Sequence, residues 1–139
     1  MTANKIATEQ LKVDEGLRLQ PYRCTAGALT IGYGRNLDSV GITKEEADIM
    51  LEADVKIAER GAQALVGNVW DDLSPARQAV LINMTFNLGR TRLAAFKNFL
   101  AALRVADYDT ASLEMLDSRW ARQVGARADR LAETMRLGQ

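Results

Sequence analysis

The longest regular pattern of apolar and polar residues lies between positions 43 and 66. Apolar residues recur there three and four positions apart, which is the period of an amphipathic helix. They are Ala47, Met50, Leu51, Val55, Ala58, Ala62 and Leu65. Thr43 followed by Glu46 has the spacing of a capping box, and Gly67-Asn68 marks a stop. The pattern predicts one helix about 35 Å long, at ~1.5 Å per residue, which is long enough to join two lobes.

Further helices are predicted in the second half of the chain. Ser74-Pro75 combines a capping serine with proline at the first helical position. The segment 76–88 is apolar almost all round, which is typical of a helix buried at the centre of a helical lobe. Thr91 is the predicted cap of a helix that runs through Leu103. Asp107 or Asp109 caps a shorter one that ends at Leu116.

The stretch 14–38, DEGLRLQPYRCTAGALTIGYGRNLD, has a different pattern. A weakly amphipathic helix over 4–15 ends at Gly16, because glycine commonly ends helices. Two extended runs follow, 17–22 and 28–33, with Gly27 as the turn residue between them. This predicts a hairpin that holds Cys24 and Thr30 near the carboxylate of Glu15.

Composition narrows the possible functions. Of 139 residues 47% are hydrophobic, which is enough for a core, and Lys plus Arg equals Asp plus Glu, with 18 of each. A nucleic-acid-binding protein normally carries a basic excess, so that class is not expected. Histidine is absent and Cys24 is the single cysteine, which excludes histidine bases, histidine metal ligands, an internal disulfide and a cysteine-rich zinc site.

The N-terminal residues 1–15 are polar and lack the apolar core of a secretory signal. No run of 18 apolar residues occurs, so no membrane span is predicted. We therefore expect synthesis in a cytoplasm. A substrate outside that compartment would require another protein to let this one out.

These motifs resemble those of the phage lysozymes, the endolysins of glycoside hydrolase family 24. In the first part the matching residues are Glu15 to Leu19, Tyr22, Cys24-Thr25, Gly27 and Thr30 to Gly34. In the second part they are Asn83 to Gly89, Ser118-Arg119-Trp120, Gln123, Arg127 and Arg130. The resemblance covers nearly all of the chain, with a loop between Gly34 and Ile42 that is shorter than in the longest members.

The resemblance implies an α+β fold that is mostly α. It consists of a small N-terminal lobe with a β-hairpin, a long connecting helix and a helical C-terminal lobe. We expect a single lysozyme-like domain over 1–139. Its lobes are about 14–45 and 1–13 plus 67–139, and the helix at about 43–66 joins them.

The resemblance also assigns chemistry. Glu15 matches the acid that protonates the leaving oxygen of a glycosidic bond. A helix C-terminus and burial in a cleft would both raise its pKa, whereas Arg127, matching an arginine near the acid, would lower it. Asn87 and Gln123 are expected to hydrogen-bond sugar hydroxyls or N-acetyl groups. For both of them, the alternative is a structural role, in which the side-chain amide makes its hydrogen bonds to neighbouring helices.

Cys24 departs from the family, which has aspartate at this position to orient the attacking water, with inversion as the expected outcome. A thiol here has three interpretations: an ionised base or nucleophile, a passive filler that leaves the water to Thr30, or loss of catalysis. An electropositive setting from Arg23, Arg35 or Arg127 would favour the first.

The expected function is hydrolysis of the β-1,4 bond between N-acetylmuramic acid and N-acetylglucosamine in peptidoglycan, leading to lysis of the host cell. No metal or cofactor is implied. The expected partners are peptidoglycan strands and a holin-type membrane pore, with a monomer made in the bacterial cytoplasm and acting on the wall after the membrane is permeabilised. The alternative is a catalytically impaired peptidoglycan-binding protein on the same fold.

Overall fold

The computed structural model describes all residues from Met1 to Gln139. Its internal contacts form two compact units, Met1–Ile49 and Met50–Gln139, and each is described by itself. The fold is α+β and mostly helical, with eight α-helices and one small antiparallel sheet, as the sequence predicts. The assignment of residues 1–13 to the helical lobe stays a prediction. None of the helices is both long enough and apolar enough to span a membrane.

The first unit contains helix α1 (Ala3–Glu15) and a three-stranded sheet. Its strands are β1 (Arg18–Arg23), β2 (Leu29–Gly32) and β3 (Arg35–Asn36), in the order β1-β2-β3. The predicted hairpin is therefore confirmed. The short third strand lies in a segment whose composition indicated only a loop, and it pairs with β2 through Ile31 opposite Arg35.

Helix α2 (Lys44–Val66) begins in the first unit and ends in the second. The predicted capping box is confirmed: the backbone N–H of Glu46 donates to Thr43 Oγ1 at 3.1 Å, and that of Thr43 donates to Glu46 Oε1 at 2.9 Å. These reciprocal bonds satisfy backbone donors that the first turn of a helix leaves free. A 3-10 helix, Gly67–Asp72, continues from the end of α2.

Six more helices complete the second unit. They are α3 (Pro75–Leu88), α4 (Arg90–Ala94), α5 (Lys97–Arg104), α6 (Tyr108–Leu116), α7 (Arg119–Val124) and α8 (Ala126–Leu137). The single helix predicted from Thr91 through Leu103 is wrong, because the chain breaks at Ala95-Phe96 into α4 and α5. Gly89, with its positive φ, precedes α4 in place of a side-chain cap.

The core of the second unit is built around α3, whose Val80, Leu81 and Met84 are almost completely buried. Leu93 and Phe99 pack into the same cluster. Burying such side chains contributes roughly 1.5–3 kcal/mol each relative to exposure. The prediction that α3 is buried all round is wrong at Phe86, whose side chain is 48% exposed.

Candidate active site

Glu15, the predicted acid, lies at the C-terminal end of α1, and its carboxylate lies against the turn that follows β2. The predicted burial of Glu15 in a cleft is wrong, because Glu15 is exposed and no residue of α1 is buried. A β-carbon added at Gly34 would lie only 2.8 Å from Glu15 Oε2, and Gly34 also has a φ of +76°. A side chain at that position would be strained by the backbone conformation, and it would displace the carboxylate of Glu15. Gly16 ends the helix with its N–H donating to Lys12 O, which sets where Glu15 stands.

Cys24 lies at the other end of the hairpin, in the turn between β1 and β2. The turn is closed by Cys24 N–H donating to Ala28 O at 3.0 Å and Gly27 N–H donating to Cys24 O at 2.8 Å. The thiol is half-buried. Backbone hydrogen bonding from Ala28 and then from Ala26 lowers the pKa of Cys24, partial burial of the thiol opposes this change, and the Thr30 hydroxyl adds a smaller lowering. The turn is thus arranged to stabilise a thiolate.

Thr30 is only 3% exposed, and its Oγ1 donates to Ala28 O at 2.9 Å. A hydroxyl has one proton, so it cannot donate to this carbonyl and to the sulfur at the same time. The hydrogen bond in the structure is the one to Ala28 O. The Thr30 hydroxyl also lies close to the Cys24 sulfur, whereas the predicted nearness of both residues to the Glu15 carboxylate stays a prediction. Direct contact of Thr30 with an attacking water stays a prediction.

The arginines proposed to create an electropositive setting have other partners. Arg23 Nη1 donates to Gly27 O at 3.1 Å and lies 3.7 Å from Asp38 Oδ2. Arg35 donates two hydrogen bonds to Glu46, the longer at 2.9 Å, and one to Gly41 O at 3.0 Å. The lowered pKa of Cys24 comes from backbone donors, which the sequence pattern did not indicate.

Asp38 holds the loop after the sheet against the hairpin. Its Oδ2 accepts the backbone N–H of Leu29 at 2.8 Å, while Leu37 N–H donates to Leu29 O at 2.7 Å. These bonds anchor the start of β2, two residues after the turn that carries Cys24. The contribution of Asp38 was missed, because nothing in its local sequence indicates a partner nine residues away.

In the second unit, Asn87 is exposed on the last turn of α3. Its Oδ1 accepts the indole N–H of Trp120 at 2.8 Å. Trp120 itself is 3% exposed, so it is a core residue whose polar atom reaches the surface residue. The indole nitrogen is only a donor. The amide oxygen of Asn87 must therefore point toward the indole, and the amide –NH₂ points away from it and is free to donate.

Arg127, on α8, has a similar arrangement with Asn83 one turn earlier on α3. Its Nε and Nη2 both donate to Asn83 Oδ1, at 3.1 and 2.7 Å. Guanidinium groups only donate, so the free –NH₂ of Asn83 also points away from its partner. The predicted role of Arg127 beside the acid stays a prediction. Asn83 was not predicted as a site residue, because its partner lies 44 positions along the chain.

Gln123 is exposed on α7, and its side-chain amide forms no hydrogen bond within the second unit. Its predicted contact with sugar is therefore compatible with its position and stays a prediction. Asn83, Asn87 and Arg127 together have more free hydrogen-bond donors than free acceptors, because the amide oxygens of the two asparagines already accept from Trp120 and Arg127. Such a set suits a ligand rich in carbonyl and carboxylate oxygens.

Known phage lysozymes and related proteins are similar to this chain over most of its length. The sequence pattern of the family described as phage lysozyme matches residues 12–135. The pre-baseplate central spike protein Gp5 of Enterobacteria phage T4 is 31% identical over 97% of this chain, although the chain spans only 28% of that protein's length.

Two other relatives are matched over most of their length. "Probable T4-type lysozyme 1" of Dictyostelium discoideum is 27% identical, with 94% of this chain and 93% of the relative covered. The endolysin of Acyrthosiphon pisum secondary endosymbiont phage 1 is 32% identical over 81% of this chain and 75% of the endolysin. The alignments with the spike protein and the Dictyostelium protein extend over 162 and 158 positions, more than the 139 residues of this chain. Those relatives therefore carry segments that this chain lacks.

Proposed function

The chain belongs to the phage lysozyme family, a family of glycosidase-type peptidoglycan hydrolases, and we propose that it cleaves the β-1,4 bond between N-acetylmuramic acid and N-acetylglucosamine. The observation that supports this most is the placement of Glu15. Its carboxylate is held against Gly34 in the same unit as the turn that carries Cys24 and Thr30. This hydrolysis needs an acid and a second group that acts on the other face of the sugar, and Glu15 and Cys24 are the two residues of this unit proposed for these roles.

Glu15 is the proposed general acid. In the reaction its carboxyl proton passes to the leaving oxygen as the bond to the anomeric carbon breaks. The contact with Gly34 limits the positions that the carboxylate can take, and fixed geometry is a large part of such catalysis. The carboxylate left after this transfer regains a proton from solvent before the next turnover.

Cys24 is the proposed base. Its thiolate takes a proton from a water molecule, and the hydroxide equivalent attacks the anomeric carbon on the face opposite the leaving group, which inverts the configuration. The support for this role is the pair of backbone N–H groups from Ala26 and Ala28 that lower the thiol pKa. Thr30 supports the thiolate, because its hydroxyl is close enough to donate to the sulfur.

The second unit supplies the proposed binding groups. Asn87 and Arg127 have donors left over after their bonds to Trp120 and Asn83. We propose that these donors bind the N-acetyl and other carbonyl oxygens of the substrate rather than hydroxyl protons. Gln123 has both donor and acceptor capacity free and is proposed to bind sugar hydroxyls.

The proposed biological setting follows the endolysin relative. We propose a monomer that is made in the host cytoplasm and reaches the wall through a holin-type pore, where it causes lysis. Cell fractionation tests this: the protein should stay in the cytoplasm until the inner membrane is permeabilised. Its presence in the periplasm of cells with intact membranes would contradict the proposal.

The alternative function is that of a peptidoglycan-binding protein with impaired catalysis. The specific observation in its favour is Cys24, because a thiol stands where the family carries aspartate. In that case the protein would bind isolated walls without releasing soluble fragments.

A wall-clearing assay with purified protein separates the two. Wild type should clear a suspension of bacterial walls, and Glu15→Gln should not. Its thermal midpoint should stay similar or rise, because an acid held in an active site often costs stability. Asp14→Asn is the matched control, since it removes the neighbouring exposed carboxylate from the same helix end. Equal clearing by wild type and Glu15→Gln would remove Glu15 from the acid role.

A further inference from the structure

The second unit carries a groove of 540 Å³ between the second half of α2 and the junction of α3 with α4. None of the predicted site residues lines it. The volume is within the roughly 300–1,000 Å³ of small-molecule sites. Its lining includes Asp54, Ile57, Arg60, Gly61, Phe86 and Arg90. We call this the arginine groove.

Arg60 and Arg90 give the arginine groove a local positive charge. Both side chains are exposed, and neither is in an ion pair or a hydrogen bond with another side chain. The chain as a whole has a net charge of zero, so this charge is a local feature. Guanidinium groups bind phosphate well, because their planar forks match its oxygens and they are weakly hydrated.

Gly61 shapes the floor of the arginine groove. A β-carbon there would lie 3.1 Å from Thr85 Cγ2, 3.6 Å from Arg90 Cβ and 3.9 Å from Arg90 Cδ. The absence of a side chain lets the aliphatic part of Arg90 lie against the α2 backbone. One of the two cationic groups is therefore supported by packing along its stem.

The middle of the groove is apolar. Ile57 is 59% exposed and Phe86 is 48% exposed, so an aromatic ring and a branched aliphatic side chain line its walls. An exposed aromatic ring offers a flat apolar surface, on which the C–H face of a sugar ring packs. A bare inorganic anion would leave this surface uncovered.

Asp54 adds an acceptor at the other end. It precedes Arg60 by six residues on α2, which is about 9 Å along the helix axis at ~1.5 Å per residue. Its carboxylate has no ion-pair partner and accepts hydrogen bonds only. Along α2 the groove thus presents an acceptor at Asp54, an apolar side chain at Ile57 and a cationic donor at Arg60, with Arg90 beside Gly61.

We propose that the arginine groove binds a phosphorylated sugar. The phosphate lies between Arg60 and Arg90, the ring packs on Ile57 and Phe86, and hydroxyl groups donate to Asp54. A free sugar phosphate and a phosphate-linked glycan of the bacterial envelope share this chemistry. The groove contains none of the residues proposed for hydrolysis, and it would hold the protein to an anionic glycan without changing that glycan.

The test is a titration of ¹⁵N-labelled protein with glucose 1-phosphate, followed by NMR at the arginine side-chain N–H signals. We expect saturable shifts at Arg60 and Arg90, and at least tenfold weaker binding of both glucose and inorganic phosphate. Arg60→Gln and Arg90→Gln should each weaken binding tenfold or more. Arg92→Gln, an exposed arginine on α4 that does not line the groove, should stay within twofold of wild type.

Two further measurements sharpen the result. Asp54→Asn should weaken binding of glucose 1-phosphate but leave that of inorganic phosphate unchanged, because only the sugar reaches Asp54. A glucose polymer joined by phosphodiesters separates the sources: tighter binding than the monoester indicates a wall polymer, and weaker binding indicates a free sugar phosphate.

Three outcomes would overturn the proposal. They are no saturable shift, equal affinity for inorganic phosphate and glucose 1-phosphate, or an equal loss in Arg92→Gln, which would indicate general charge attraction. All these side chains are on the surface, and an unchanged thermal midpoint checks that each variant folds. Glucose 1-phosphate has no β-1,4 bond, so the result does not depend on whether the chain hydrolyses peptidoglycan.

Discussion

The indole N–H of Trp120 donates to Oδ1 of Asn87 across 33 positions of sequence, at 2.8 Å. The bond joins a buried residue of α7 to an exposed residue of α3. Because the indole is only a donor, it fixes which end of the Asn87 amide faces outward. The buried Trp120 therefore orients the exposed amide of Asn87 so that its –NH₂ group is available to donate to a ligand.

The first prediction is that Trp120→Phe changes substrate binding through Asn87. The variant keeps an aromatic ring but lacks the donor, so the amide of Asn87 becomes free to rotate. We expect KM to rise with little change in kcat. In a double-mutant cycle with Asn87→Ala, the coupling free energy should be about 0.5–1.5 kcal/mol in thermal or chemical unfolding. Additive effects on both KM and stability would show that the bond does not position Asn87.

The second prediction concerns Gly34. Gly34→Ala places a β-carbon 2.8 Å from Glu15 Oε2 at a φ of +76°. Backbone strain should cost about 1–2 kcal/mol. Displacement of the carboxylate should lower kcat, by about 100-fold if Glu15 moves by ~1 Å.

Gly41→Ala is the control for Gly34→Ala. Its φ is +62°, and no atom lies within 4 Å of the added β-carbon. It should lose similar stability but keep activity when assayed well below its thermal midpoint. Equal losses of activity in the two variants would show that backbone strain alone, and not contact with Glu15, explains the effect.

The third prediction concerns acid stability through Glu46. The Arg35 guanidinium, together with backbone hydrogen bonding from Thr43, lowers the pKa of Glu46 from its ordinary 4.5 to about 2. A carboxyl with a lowered folded-state pKa stabilises the fold above the unfolded-state value. That contribution is lost as pH falls from about 4.5 to about 2. Glu46→Gln should therefore be less stable than wild type at neutral pH, and the difference should shrink across this range.

Glu45→Gln is the matched control, because Glu45 is exposed in the same first turn of α2 and has no ion-pair partner. Thermal midpoints measured from pH 6 to pH 2 should converge for wild type and Glu46→Gln. For Glu45→Gln they should run nearly parallel to wild type. Parallel curves for both variants would mean that the pair with Arg35 does not contribute to stability.

The fourth prediction concerns Cys24. Because backbone N–H groups lower its pKa, alkylation by iodoacetamide should reach half its maximal rate at a lower pH than in an unstructured cysteine peptide. Lysis should be lost in step with the thiol. A midpoint equal to that of the peptide would show that the turn does not stabilise the thiolate.

Substitutions at one fixed pH test the base role itself. Cys24→Ser should lower activity more than tenfold, since a hydroxyl does not ionise near neutral pH. Cys24→Asp should keep activity and extend it to lower pH, because aspartate ionises near ~3.9. Equal activity of Cys24→Ser and wild type would leave the water to Thr30 and exclude the thiolate.

The sequence predicts the parts of the fold that depend on neighbours in the chain. The capping box of Thr43 and Glu46, the start at Ser74-Pro75 and the hairpin turn at Gly27 all depend on residues within a few positions of one another, and all are confirmed. The break between α4 and α5 was missed because apolar spacing continues from Leu93 to Phe99. That spacing does not show that the backbone leaves the helix at Ala95-Phe96.

The sequence predicts which residues form the candidate site but not the hydrogen bonds that hold them. Glu15, Cys24 and Thr30 follow from the motif, but the stabilisation of Cys24 depends on backbone N–H groups, which carry no sequence signal. The partners of Asn87 and Arg127 lie 33 and 44 positions away. Pairings over such distances depend on how the helices pack, which local patterns do not determine.

The proposed reaction depends on Glu15, which protonates the leaving oxygen of the bond between N-acetylmuramic acid and N-acetylglucosamine. Its most direct test is to digest purified peptidoglycan with wild type and Glu15→Gln and to identify the new reducing ends by borohydride reduction and mass spectrometry. Wild type should create reducing ends on N-acetylmuramic acid, and the folded Glu15→Gln variant should create almost none. Reducing ends on N-acetylglucosamine, or wild-type yields from Glu15→Gln, would contradict the claim.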